Sequence, residues 1–199
     1  MRRSMILLAV IFLVGASSVQ SQTLRVGAQG QKALLFNFVG LNALNLGAYS
    51  TYVNQSAGIG AKYFLSDGVA VRGLLLFGIN NHTTSTTPEV SDNKFSFGIG
   101  GALEYHLPIS SSVSPYVGGG LQFMTSTETT NPASFKTTQS MFGVGALMGV
   151  EYFFNQSISL GAEYQFGLTT GSATATGAAD QSQLTVGFQT AGLTMAVYF

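Results

Sequence analysis

The chain has no cysteine, no tryptophan, four prolines and two histidines in 199 residues. Without cysteine there are no disulfides and no thiolate metal sites. His82 and His106 stand far apart, so a transition-metal centre lacks its usual ligands and no cofactor is expected. Charge is scarce as well: 8% of the residues are charged, against about 25% in an ordinary soluble domain. A water-facing surface is hard to assemble from so little. Eight basic residues balance eight acidic ones, which leaves no cationic footprint for nucleic acid and no strong field to steer a charged partner. Beyond the N-terminal segment no run of 18 apolar residues occurs, so a helical membrane protein is not expected.

What the chain does have is glycine, 25 residues, and a hydrophobic content of 46%. Its first residues, "MRRSMILLAVIFLVGASSVQSQT", run from two arginines through an apolar stretch to small and polar residues, the order of a secretory signal peptide. Val19 and Ser21 at the −3 and −1 positions place the cut after Ser21, with Ser18/Val19 as the nearby alternative. The expected organisation is a signal peptide over 1–21, a short periplasmic lead-in over 22–31 and one β-barrel domain over 32–199. Removal of Arg2 and Arg3 leaves six basic and eight acidic residues.

Alternation dominates the mature chain. In "FSFGIGGALEYHLP" the odd positions are Phe95, Phe97, Ile99, Gly101, Leu103, Tyr105 and Leu107, and the even ones are Ser96, Gly98, Gly100, Ala102, Glu104 and His106. Period two means a strand with one oily face and one polar or small face. The same pattern predicts strands near 32–40, 57–65, 69–79, 95–107, 113–125, 138–154, 158–168 and 184–199. In the last of these the oily face changes parity between Phe188 and Ala191, which predicts a bulge. The first hairpin, "LNALNLGAYSTYVNQSA", stays half apolar where a loop should be polar. Connections alternate between tight ("SDG", "PISSS", "NQS") and long and Thr/Ser-rich (80–93, 126–137, 169–183). Short turns on one side and long loops on the other predict an all-β, eight-stranded antiparallel up-and-down transmembrane barrel in the outer membrane. The competing soluble barrel of lipocalin type would carry charged outer faces around an apolar cavity.

Five strands hold one mid-strand charge each: Lys62, Arg72, Glu104, Glu151 and Glu163. All five fall on the less oily face, while Tyr63, Val71, Leu103, Tyr105, Val150, Tyr152 and Tyr164 occupy the other. An arginine or lysine facing lipid at mid-depth costs about 2–4 kcal/mol, so the charge-free face should meet lipid and the charges should fill a narrow lumen. Counting from the tight turns places Lys62 beside Arg72, Glu104 beside Tyr116 and Glu151 close to Glu163, with Arg72 as the main partner of Glu104 and Glu151. The inner-face glycines are expected to make room for these long side chains. Tyr63, Tyr105, Tyr152, Phe154 and Phe199 should form a periplasmic aromatic belt, and Phe77, Phe97, Phe142 and Phe166 an outer one.

The signal peptide, the eight alternating strands and the closing "LTMAVYF" resemble the small outer-membrane barrels of the outer-membrane protein X type and of the transmembrane domain of outer-membrane protein A. "KALLFNFVGLN" and "GIGAKYFLSDGVAVRG" are similar to small barrels of Bacteroidota-type bacteria. The resemblance implies that Leu193, Met195, Val197 and Phe199 form the terminal signal read by the barrel-assembly machinery. It also implies periplasmic chaperones during biogenesis and outer-membrane lipid and lipopolysaccharide around the barrel, with the extracellular partner unspecified. In the protein A type a peptidoglycan-binding domain follows the barrel; here the sequence runs only to the last strand, and tethering to the wall is not expected.

Enzymatic and nucleotide chemistry find little support. "GIGGAL" and "GVGALMG" lie inside strands without GxGxxG spacing or a following GK[ST]. His106 has Ser110 and Ser114 near it, and Glu104 could orient it, but that group sits on the lumen side, away from a lipid substrate. His106 is expected to be structural and His82 a solvated loop residue. The expected function is that of a non-enzymatic surface barrel whose loops serve interaction, adhesion or envelope integrity. A narrow channel and a lipid A-modifying enzyme are the alternatives.

Overall fold

A computed structural model describes residues 27–38, 57–84, 90–107, 112–131, 135–177 and 179–199. They form β1 (Lys32–Phe38), β2 (Ala57–Ser66), β3 (Val69–Thr84), β4 (Val90–His106), β5 (Val113–Asn131), β6 (Phe135–Phe153), β7 (Ile158–Ala175) and β8 (Gln181–Tyr198). Each strand pairs antiparallel with its neighbours in sequence, and β1 closes on β8 through Ala33↔Tyr198 to Phe38↔Leu193. The signal-peptide segment, residues 22–26 of the lead-in and the first hairpin from residue 39 to 56 lie outside the described residues.

Alternation becomes facing directly. Along β6, Val144, Met148, Val150 and Tyr152 are exposed while Leu147, Glu151 and Phe153 are buried. Ile59, Leu75, Ile99, Leu121, Val144 and Leu168 all face outward, a surface that only lipid can cover at acceptable cost. A soluble barrel would reverse this arrangement. Most of the exposed aromatics form two belts, Tyr63, Tyr105, Tyr152, Phe154 and Phe199 below, and Phe77, Phe97, Phe123, Phe142 and Phe166 above. Phe97 and Tyr105 are separated by about 26 Å of strand at 3.3 Å per residue, close to the outer-membrane apolar band once tilted.

The strands run longer than the alternation indicates. Most of the expected loops 80–93, 126–137 and 169–183 are paired strand: His82 pairs with Asp92, Thr129 with Lys136, and Ser172 with Ser182. Above the upper belt both faces of the wall meet water, so no apolar face remains to mark a period of two. The β-branched threonines there still favour extended backbone. The bulge on β8 is present: Gln165 pairs with Thr190 and Phe166 with Phe188, leaving Gln189 as the extra residue. A second register shift, between Phe64 and Ser66 beside the "SDG" turn, has no counterpart in the sequence pattern.

The tight turns have local causes. Gly68 takes φ +77°, which suits a residue without Cβ. The Asn155 side chain accepts hydrogen bonds from the Ser157 and Ile158 amides at 2.8 and 2.9 Å, closing the "NQS" turn. Residues 27–31 of the lead-in dock beneath β2 and β3: the Gly30 amide donates to the Phe64 carbonyl, the Gly68 amide to the Gly27 carbonyl, and the Gln29 amide to Asp67. The apolar core is small and sits at the periplasmic end of the lumen, where Ala33, Leu35, Phe64, Ala70, Phe153, Ala196 and Tyr198 pack together.

Candidate functional site in the barrel lumen

Lys62 and Arg72 face each other across the β2–β3 hairpin and point into the lumen. Glu104 comes from β4, Glu151 from β6 and Glu163 from β7. The structure brings all five together, and their side chains are at most 9% exposed. Lys62 Nζ lies 2.9 Å from Glu104 and 3.1 Å from Glu151. Arg72 Nη1 lies 2.9 Å from Glu104 and 2.7 Å from Glu163, and its Nη2 lies 2.9 Å from the other Glu163 oxygen. The order is a chain of alternating sign, Glu151–Lys62–Glu104–Arg72–Glu163, with each cation between two carboxylates.

This arrangement corrects the expected pairing in one respect: the second carboxylate on Arg72 is Glu163, and Glu151 belongs to Lys62. In the ring of eight strands β2 lies opposite β6, and β3 lies opposite β7. The Lys62–Glu151 and Arg72–Glu163 contacts are therefore two straps across the diameter of the barrel. Glu104 also sits opposite Gly118, and Tyr116 opposite His106, a shift of two residues from the expected register. An even shift preserves parity, so every side chain keeps its face.

Three carboxylates face two cations, and neutral hydroxyl and amide donors hold the ends of the chain. Glu151 accepts from Tyr198 at 2.7 Å and from Ser159. Glu163 accepts from Tyr116 at 3.0 Å and from Gln165 at 2.8 Å. Buried ion pairs hold together only when such bonds satisfy the remaining lone pairs. The Lys62 ammonium also lies 5.4 Å from the centre of the Tyr116 ring. Of these partners the sequence singled out only Tyr116, as a neighbour of Glu104; Tyr198 shares its inner parity, and Ser159 and Gln165 were not named.

His106 joins the same cluster. Its Nε2 lies 3.0 Å from Glu104 and its Nδ1 3.0 Å from Ser114, while its ring packs against Phe64 and Tyr116 at 5.1 and 5.0 Å. The order acid, imidazole, hydroxyl matches that of a hydrolytic triad, but Glu104 already shares its charge with Lys62 and Arg72. Ser110 lies outside the described residues, and His82 is exposed on the paired extension of β3. Among the described residues no group of three or more His, Asp or Glu is placed to hold a metal ion.

Inner-face glycines make room, though not for the charged side chains. A Cβ at Gly149 would run into the Tyr116 ring, one at Gly58 would meet Leu76 at 2.6 Å, and one at Gly60 would meet Leu74 at 2.6 Å. Leu193, Met195 and Val197 of β8 pair with Phe38, Phe36 and Leu34 of β1, and Phe199 is exposed with its amide bonded to the Lys32 carbonyl.

A closed eight-stranded barrel with an apolar outer wall, two aromatic belts and a charged lumen defines an outer-membrane protein. The chain belongs to the outer membrane protein beta-barrel domain family, whose model matches residues 5–190. Outer membrane protein W of E. coli, solved in solution by NMR, is similar in fold at 16% identity and TM-score 0.52, covering 86% of this chain and 99% of its own. The outer membrane protein OprG of Pseudomonas aeruginosa is similar at 14% identity and TM-score 0.51, covering 87% and 98%. Ail, the attachment invasion locus protein of Yersinia pestis, in complex with the heparin analogue sucrose octasulfate, is similar at 9% identity and TM-score 0.52, covering 86% and 99%. No curated protein matches the sequence.

Proposed function

We propose that this protein is a non-enzymatic surface barrel that presents a polar β-wall above the membrane to an extracellular partner. The observation that carries this is the height of the wall. From Phe97 in the upper belt, β4 continues to Val90, and from Phe123, β5 continues to Asn131, the former adding about 23 Å of strand at 3.3 Å per residue. The wall is rich in threonine and serine, and its described charges are mixed: Lys94 and Lys136 against Asp92, Glu128 and Asp180, with Lys94 only 3.8 Å from Glu128. Ail binds a sulfated sugar analogue, as its complex records, but a mixed wall of this kind suits a hydrogen-bonding partner better than an anionic one.

The two lumen straps support this reading over a channel, because buried side chains occupy the barrel where an ion would have to pass. Glu104 neutralised by two cations supports it over an enzyme, since little charge is left to stabilise an imidazolium. Lipid and lipopolysaccharide meet the outer face, and Leu193, Met195, Val197 and Phe199 present the terminal signal to the assembly machinery and chaperones. A deletion strain together with planar-bilayer recording tests the proposal. Expected are altered adhesion or detergent sensitivity, an unchanged lipid A profile and silent bilayers. Unitary conductance steps, or a lipid A species that disappears in the mutant, would refute it.

A further inference from the structure

On the outer wall, strands β1 to β4 shape an apolar groove of about 510 Å³, a volume in the range of small-ligand sites. Ala61 and Gly73, paired across the β2–β3 hairpin, form its floor, and Leu34, Ile59, Leu75 and Ile99 stand around it. From β1 to β4 it crosses three strand spacings, about 14 Å. The barrel itself has no need of a glycine at position 73. Gly73 is not among the residues with positive φ, and a Cβ there would meet nothing within 4 Å, whereas glycine inside a strand is unfavourable. What the missing side chain leaves is room on the lipid side.

Lys32 lies just beneath this groove. It faces outward on β1, two residues and about 7 Å of strand below Leu34. It pairs with Tyr63, and its carbonyl accepts from the Phe199 amide, so it stands between two members of the lower aromatic belt. Among the described residues it is the only basic one on the outer face at that level: Lys62 and Arg72 are buried, and Lys94 and Lys136 lie above the upper belt. A lysine at headgroup level attracts anionic lipid, with its stem laid along the apolar wall.

We propose that the groove and Lys32 together bind one anionic phospholipid of the periplasmic leaflet. One acyl chain lies over Ala61 and Gly73, the headgroup phosphate meets the Lys32 ammonium, and Tyr63 beside it donates a further hydrogen bond. The level of the cation selects the lipid. Lipopolysaccharide occupies the opposite leaflet, and a zwitterionic headgroup brings its own ammonium to the lysine.

Native mass spectrometry of the mature chain, released from nanodiscs of mixed phosphatidylethanolamine and phosphatidylglycerol, tests this. Expected is one retained phosphatidylglycerol per barrel, in preference to phosphatidylethanolamine. Lys32→Gln should reduce that preference about fivefold. Gly73→Leu fills the floor of the groove, where a side chain has open space, and should lose the adduct of either lipid. Both substitutions lie on the lipid-facing surface, clear of the buried charge chain, so the heat-modifiable gel shift should be unchanged. Lys94→Gln, on the upper wall, should bind as the wild type does. Equal retention of the two lipids by the wild type, an adduct unchanged in Lys32→Gln or in Gly73→Leu, or a barrel dimer in place of the lipid adduct would overturn the proposal.

Discussion

The lower and upper halves of the lumen share one outer wall and differ inside. Below, Lys62, Arg72, Glu104, Glu151, Tyr116, His106, Phe64, Phe153 and Tyr198 are all buried, and two ion-pair straps cross the diameter. Above, Gly98, Gly100, Gly120, Gly143, Gly145 and Gly167 line the wall, and Leu74, Leu76 and Gln122 lie only half-buried among them. The difference shows that lipid dictates the outside at every height while the inside is free to vary. One half is committed to holding the barrel together, and the other is left open from above.

The comparison breaks most directly at Arg72. Among the described residues Arg72→Ala removes the only cation on Glu163 and one of two on Glu104, and should destabilise by about 3–5 kcal/mol in urea unfolding from lipid vesicles. If it were neutral, the lower half would not be the stabilising one. The shared outer wall is tested next: Leu75→Arg, facing lipid near mid-depth, should cost about 2–4 kcal/mol in the same measurement. An equally harmless result would place the wrong face against lipid.

Smaller effects sharpen the contrast. Tyr198→Phe takes one neutral donor from Glu151, and hydrogen bonds to charged groups contribute about 1.5–3 kcal/mol. Its loss should show as a lower urea midpoint with an unchanged slope. The glycines of the two halves should then respond with opposite sign. Gly149→Ala forces the Tyr116 ring aside and should cost about 1–3 kcal/mol. Gly100→Ala meets no close contact and should stabilise by about 0.5–1 kcal/mol, since glycine inside a strand is itself unfavourable. Both are read from parallel unfolding curves.

Much of this was legible in the residues. The parity of Lys62, Arg72, Glu104, Glu151 and Glu163 placed them inside because an ionised group against lipid is too costly on any strand. The change of parity between Phe188 and Ala191 marked the bulge at Gln189 for the same reason. The height of the wall was not legible. Along residues 81–83 and Thr125–Asn131 both faces are wet, and alternation carries a signal only where one face is not.

By itself, then, the sequence determined which face of each strand meets lipid, and through that the membrane, the strand count and the set of residues sharing the lumen. Partners inside that lumen were decided only by closure. Whether Arg72 meets Glu151 or Glu163 depends on the stagger of the strands and on which lie opposite in the ring. A two-residue shift of register changes the stagger while leaving every parity intact, and only the closed ring sets which strands face each other.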